Sequence, residues 1–78
     1  MDIMERIEVD PEIMAGKPVV KGTRIPVYVV LQMFEEEASI DDVLEAYPDL
    51  EKEDVRACIR YATKRVKREG LADPKTVA

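Results

Sequence analysis

Histidine and asparagine are absent from this 78-residue chain, and cysteine occurs once, at Cys58. A single cysteine excludes an internal disulfide. With no histidine and no second thiol, a structural zinc site lacks ligands. The missing histidine also removes the most common general base. No glycine-rich phosphate cradle and no nucleophile–base pair is visible, so the chain reads as non-enzymatic and without a cofactor. Long apolar runs are missing too. The longest, Val27-Tyr28-Val29-Val30-Leu31, falls well short of the ~18–20 residues of a membrane span. The opening Met1-Asp2-Ile3-Met4-Glu5-Arg6 lacks the basic-then-apolar order of a signal peptide. A cytoplasmic chain with no membrane partner is expected. Hydroxyl and amide groups are also scarce, with one serine (Ser39) and one glutamine (Gln32) against 37% charged residues, a usage seen in heat-adapted proteins.

A chain of this length hides only about 60% of the surface that its unfolded form exposes. Below roughly 70–80 residues a domain usually needs a staple: disulfides, a metal or a partner subunit. An internal disulfide is excluded and a zinc site is not expected, which leaves self-association, and a homodimer is expected.

What is present is charge, unevenly placed. The net charge is −5, which by itself argues against nucleic acid. Residues 1–51 are strongly acidic, whereas 52–69 hold Lys52, Arg56, Arg60, Lys64, Arg65, Lys67 and Arg68 against Glu53, Asp54 and Glu69. Such asymmetry can give a local preference for an anionic partner that the total conceals.

The first third reads as strand and turn. Ile7-Glu8-Val9 alternates as a half-buried strand does. Asp10-Pro11 breaks it, and Asp10 can cap a short helical turn through Glu12-Ile13-Met14. Gly16 and Pro18 bound a second extended run, Val19-Val20. Gly22 supplies a tight turn, after which Arg24-Ile25 can return as a third strand. Pro26 then opens a helix, placed at its first position. Val27, Val30, Leu31 and Phe34 follow at helical spacing, in competition with the strand preference of the β-branched residues. Ser39 with Asp42 is a capping-box pattern, and Ile40, Val43, Leu44 and Tyr47 make the next stripe until Pro48 stops it. A third helix runs from Lys52 with Val55, Cys58, Ile59, Ala62 and Val66 on one face, toward a Gly70 cap. The expectation is a mainly α domain over 1–70: a helix-turn-helix three-helix bundle with a short N-terminal β ribbon. The ribbon occupies about 5–25, the helices about 27–36, 40–47 and 52–69, and 71–78 form a loose tail.

On the third helix Arg56, Arg60, Lys64 and Lys67 recur at spacings that align them opposite the apolar face. Like charges in a row repel by a few tenths of a kcal/mol per pair, which points to an anionic partner such as double-stranded DNA. The competing reading is a solvated face whose cations favour the negative helix C-terminus.

The block Gly16-Lys17-Pro18-Val19-Val20-Lys21-Gly22-Thr23-Arg24-Ile25-Pro26-Val27 carries a resemblance. Together with Ser39-Ile40, Asp42-Val43-Leu44, Tyr47-Pro48-Asp49-Leu50 and Glu53-Asp54-Val55, it makes residues 5–65 similar to the family catalogued as domain of unknown function 433. The resemblance implies a homeodomain-like or winged three-helix DNA-binding domain. It also implies an antitoxin or autoregulatory repressor encoded beside a PIN-like ribonuclease toxin, with no catalytic residues to transfer. Two positions depart from the pattern. Glu37 stands where the family has glycine between its first two helices, so either the turn is strained or the first helix runs longer. Glu51 replaces a hydroxyl cap before the third helix.

Lys21 and Arg24 flank the tip of the block. They could touch phosphate or the acidic surface of a partner, or they could guard an exposed strand edge. Val19, Val20 and Ile25 read as core or dimer contact. Cys58 reads as a buried thiol, Glu35-Glu36-Glu37 and Asp41-Asp42 as solvated acids, and the four methionines as gap-fillers.

Overall fold

A computed structural model describes residues 2–69. Two short strands, β1 (Ile7–Glu8) and β2 (Val19–Val20), pair antiparallel with Ile7 opposite Val20 and Glu8 opposite Val19. Three helices follow: α1 (Val27–Glu35), α2 (Ile40–Ala46) and α3 (Lys52–Glu69). A single 3-10 turn, Ile3–Arg6, precedes β1 and lies against α3. The mainly α three-helix fold with a short N-terminal ribbon is as expected. The Gly70 cap and the 71–78 tail lie outside the described residues.

The ribbon differs from its sequence reading in three places. Arg24-Ile25 is not a third strand: the Ile25 carbonyl accepts from the Val20 N–H at 3.0 Å, and Pro26 forms only an isolated bridge with Val19. Proline has no N–H to extend a ladder, so the return ends there. Val9 lies outside β1 and is exposed. Asp10 does cap the next turn, accepting from the Glu12 N–H at 2.8 Å. The helical turn itself sits later, at Met14–Gly16, and runs left-handed: Met14, Ala15 and Gly16 all have positive φ. Only the last of these is a glycine, and each of the other two costs on the order of 1–2 kcal/mol.

The helix ends are set by local chemistry. Pro26 is the residue before α1 rather than its first residue, at φ −69° and ψ 147°. The end of α1 is a Schellman motif: the Ala38 N–H donates to the Met33 carbonyl at 2.9 Å and the Glu37 N–H to the Phe34 carbonyl at 2.9 Å. That geometry needs a left-handed residue, and Glu37 supplies it at φ 68°, where glycine is the usual occupant. The turn is therefore kept and α1 is not lengthened. Ser39 caps α2 in a complete capping box with Asp42.

The core is built almost wholly from valine. Val20, Val27, Val30, Val43, Leu50, Val55 and Cys58 form one buried cluster, with Ile7, Leu31, Phe34, Ile40, Leu44, Tyr47 and Tyr61 packed around it. Val19 and Val20 are fully enclosed within the chain itself, so they are core and not dimer contact. One expectation fails on α3. Ile59 and Val66, placed by periodicity on the packed face, are 40% and 67% exposed. The same face is buried at Val55 and Cys58, as expected, but it extends toward Asp54 and Ala57 and not toward Ile59. The helix is also twice as long as α1. The 18 residues of α3 span about 27 Å, whereas the 9 residues of α1 span about 13.5 Å. Residues 63–68 are all exposed.

Candidate nucleic-acid interface

The position of α3 is set at its N-terminal end. Arg6 Nη1 donates to Glu51 Oε1 and Asp54 Oδ1, both at 2.9 Å. The other oxygen of Asp54 accepts from the Glu51 N–H at 2.8 Å. One carboxylate thus caps its own helix and ties it to the N-terminal turn. The two carboxylates hold the Arg6 guanidinium above its ordinary pKa, through hydrogen bonds first to Glu51 and then to Asp54.

From that anchor, Arg56, Arg60, Lys64 and Lys67 project along one side. At about 100° per residue they fall within an arc of roughly 80°. All four are exposed, and the ion pairs found among the described residues involve Arg6 alone as the cation. Arg56 and Arg60 border a shallow concavity of about 240 Å³ with Ile59 and Thr63. Lys64 and Lys67 border a second, of about 540 Å³, together with Arg65, Arg68, Met4 and Tyr61. The structure therefore places the row on one side of the rod and adds Arg65 and Arg68, which the spacing argument had passed over. Their signal in the sequence was the dense run Lys64-Arg65-Val66-Lys67-Arg68, which can carry cations around more than one side of a helix.

Lys21 and Arg24 belong to a different element, the turn from β2 to α1, and both are exposed. Gly22 sits between them at φ 82°. Thr23 locks the turn: its hydroxyl donates to the Val20 carbonyl at 2.7 Å and accepts from the Ile25 N–H at 3.0 Å. Lys21 is held through its backbone, whose N–H donates to the Arg6 carbonyl at 2.7 Å.

Cys58 is fully enclosed, and burial with the nearby Asp54 charge pushes its thiol up to about 12. No three metal-ligating side chains come together among the described residues. None of the described helices is long and apolar enough to cross a membrane.

A second surface adjoins the basic row. Tyr28 and Leu31 of α1 face Ala62 and Val66 of α3 across an open trough of about 460 Å³, bordered by Lys17 and Arg65. Tyr28 is 50% exposed, with Lys17 Nζ 5.9 Å from its ring centroid. Sequence reasoning missed this surface, because it assigned Val66 to the core.

Comparison with known proteins places the chain among proteins of the same build. A family model described as "Protein of unknown function (DUF433)" matches residues 7–62. An uncharacterized protein of Sinorhizobium fredii, y4eO, is 41% identical over 58 residues, which is 74% of this chain and 26% of that protein. An uncharacterized protein of Archaeoglobus fulgidus is 71% identical over 24 residues, 31% of this chain and 67% of that protein. The chain thus spans about a quarter of the first relative and two thirds of the second. The crystal structure of a DUF433 member from Anabaena variabilis superposes with a TM-score of 0.71 at 28% identity, covering 82% of this chain and 66% of that one.

Proposed function

The chain belongs to the DUF433 family of proteins of unknown function, and we propose that this member is a DNA-binding module of the antitoxin type, acting as an autoregulatory repressor. The observation that carries the reading is the row Arg56, Arg60, Lys64 and Lys67, exposed along one side of α3 with no carboxylate partner among the described residues. Unpaired like charges on a rigid helix are a standing electrostatic cost that phosphates relieve. The first turn of α3 is unsuited to phosphate, because Glu51, Glu53 and Asp54 crowd it. Contact therefore begins at Arg56 and runs toward the C-terminal half, with backbone phosphates as its main targets.

The test is a gel shift and anisotropy titration on duplex DNA from upstream of the chain's own gene. If four phosphates are neutralised, log affinity falls against log salt with a slope of about −3.6. Replacing Arg56 and Arg60 by alanine lowers that slope by about two units. No shift by the wild type, or an unaltered slope in the variant, overturns the reading.

The antitoxin role is supported by the family resemblance. It would make a PIN-like ribonuclease the protein partner, with Lys21 and Arg24 as cations able to enter a carboxylate-lined metal site. Failure to co-purify with the product of the neighbouring gene at low salt removes this role while leaving DNA binding standing. A homodimer completes the proposal, because a valine core this small benefits from a subunit contact. Val9 and Met14, exposed beside the ribbon, are where a second copy would add. A monomer in sedimentation equilibrium at tens of micromolar rejects it.

A further inference from the structure

We propose that the trough between α1 and the C-terminal half of α3 is a docking site for an amphipathic helix that carries carboxylates beside its apolar anchors. This inference does not rest on DNA binding: of the cationic row it shares only Lys67, at the margin of the trough. Three observations carry it.

The floor is apolar and open. Tyr28, Leu31, Ala62 and Val66 line a trough of about 460 Å³. Ile59 extends the apolar seam along α3 beside Val66. Tyr28, Ile59 and Val66 are among the most exposed large apolar side chains described. Ile59, Ala62 and Val66 lie at i, i+3 and i+7, the spacing at which one helix presents a seam to another. From Ile59 to Val66 the seam rises about 10 Å, two turns of a partner helix.

The rim has one sign of charge. Among the described residues, every ionisable side chain bordering the trough and its continuation is a cation, namely Lys17, Arg65 and Lys67, apart from the phenols of the tyrosines. This holds in a chain whose net charge is −5. An apolar floor with a cationic rim is complementary to apolar anchors with an acidic border.

The same rim disfavours a second copy of this α3. Pairing two such helices along the seam would bring Arg65 and Lys67 of each against a surface already rich in cations, and like charges juxtaposed across an interface repel. An acidic partner helix relieves the same repulsion.

The test uses the full chain and three synthetic helical peptides of about 18 residues, long enough to be helical in isolation. One has leucines at i, i+3 and i+7 flanked by glutamates. The second keeps the leucines and replaces the glutamates by lysines. The third keeps the glutamates and replaces the leucines by alanines. Fluorescence anisotropy is expected to show the first binding at least about ten-fold more tightly than either of the others. The variant Tyr28→Ser with Val66→Ser leaves the buried valine cluster untouched, its fold is checked by circular dichroism, and it is expected to lose that preference. The variant Arg56→Ala with Arg60→Ala keeps it, even if duplex binding is lost or was never present. Equal affinity for the glutamate and lysine peptides overturns the proposal, as does undiminished binding by the Tyr28/Val66 variant. A dimer that dissociates in that same variant also overturns it, by assigning the trough to a second copy.

Discussion

Arg6 and Asp54 are 48 positions apart in the chain and 2.9 Å apart in the structure. Asp54 is 8% exposed, and each of its oxygens has its own donor: the guanidinium of Arg6 and the Glu51 N–H. The carboxylate is satisfied only while both are present. An asparagine there offers one acceptor and one donor group, so in either orientation its NH₂ meets a donor. Asp54→Asn is expected to cost about 2 kcal/mol, within the range for hydrogen bonds to charged groups. Arg6→Met is expected to destabilise as well, by stranding the nearly enclosed Oδ1. Glu51→Ala should change little, since its pair is surface-exposed. Urea titrations of the three variants check the ranking, and an Asp54→Asn chain as stable as the wild type would show that the bridge does not hold α3.

The left-handed residue that closes α1 is glutamate. Glu37→Gly is expected to stabilise the chain by about 1 kcal/mol, because it removes the steric cost of positive φ while keeping both Schellman hydrogen bonds. The gain corresponds to a rise of roughly 4–8 °C in Tm for a domain of this size. Calorimetry decides the matter. A fall in Tm would mean that the freedom glycine adds to the unfolded chain outweighs the strain relieved.

At the start of α2, the Ser39 N–H donates to Asp42 Oδ2 at 2.8 Å and the Asp42 N–H donates to Ser39 Oγ at 3.1 Å. Ser39→Ala is expected to cost about 1 kcal/mol. The backbone N–H of Ser39, and then its hydroxyl, hold the Asp42 carboxyl below its ordinary pKa. A depressed folded value adds stability that is present above the ordinary carboxylate range of about 4 and is lost as pH falls through the lowered value. Asp42→Asn should therefore be less stable than the wild type at neutral pH, with the gap narrowing in acid. A gap that persists undiminished at low pH would show that the charge on Asp42 is not what the cap uses.

Cys58 shifts the other way. Burial, with the Asp54 charge as a second cause, raises its thiol to about 12, so folding favours the neutral form. That contribution is complete below the ordinary thiol value of about 8.5 and is lost as pH climbs toward the folded value. Alkylation by iodoacetamide at mildly alkaline pH should be slower for the native chain than for the urea-unfolded one by roughly a hundred-fold or more. Comparable rates in the two states would place the thiol at the surface.

Much of the fold is legible without coordinates because its signals are local. Ser39 with Asp42 marks the start of α2, the Pro26 ring opens α1, and Pro48 bars α2 from continuing. Gly16 and Gly22 stand at positive φ, where the turns need them. The Met14–Gly16 turn was misplaced because nothing about methionine or alanine advertises a left-handed backbone. For the candidate site, helical spacing alone aligned Arg56, Arg60, Lys64 and Lys67. It left out Arg65, Lys17 and Tyr28, which share a trough only because α1 crosses α3 there.

The sequence by itself determined about where the helices lie, that α3 is cationic along one side, and that its single cysteine cannot form a disulfide within these 78 residues. These follow from periodicity, caps and composition, each carried by residues a few positions apart. The tertiary structure alone decided that, beside Val55 and Cys58, α3 buries Ala57 and leaves Ile59 outside. Helical spacing permits either, and the choice comes from how α3 packs on the N-terminal turn, α1 and α2. Val66 borders the open trough beside Tyr28, near the start of α1, and is left outside the core. Which apolar side chains a helix encloses depends on the neighbours it packs against, and no local pattern records them.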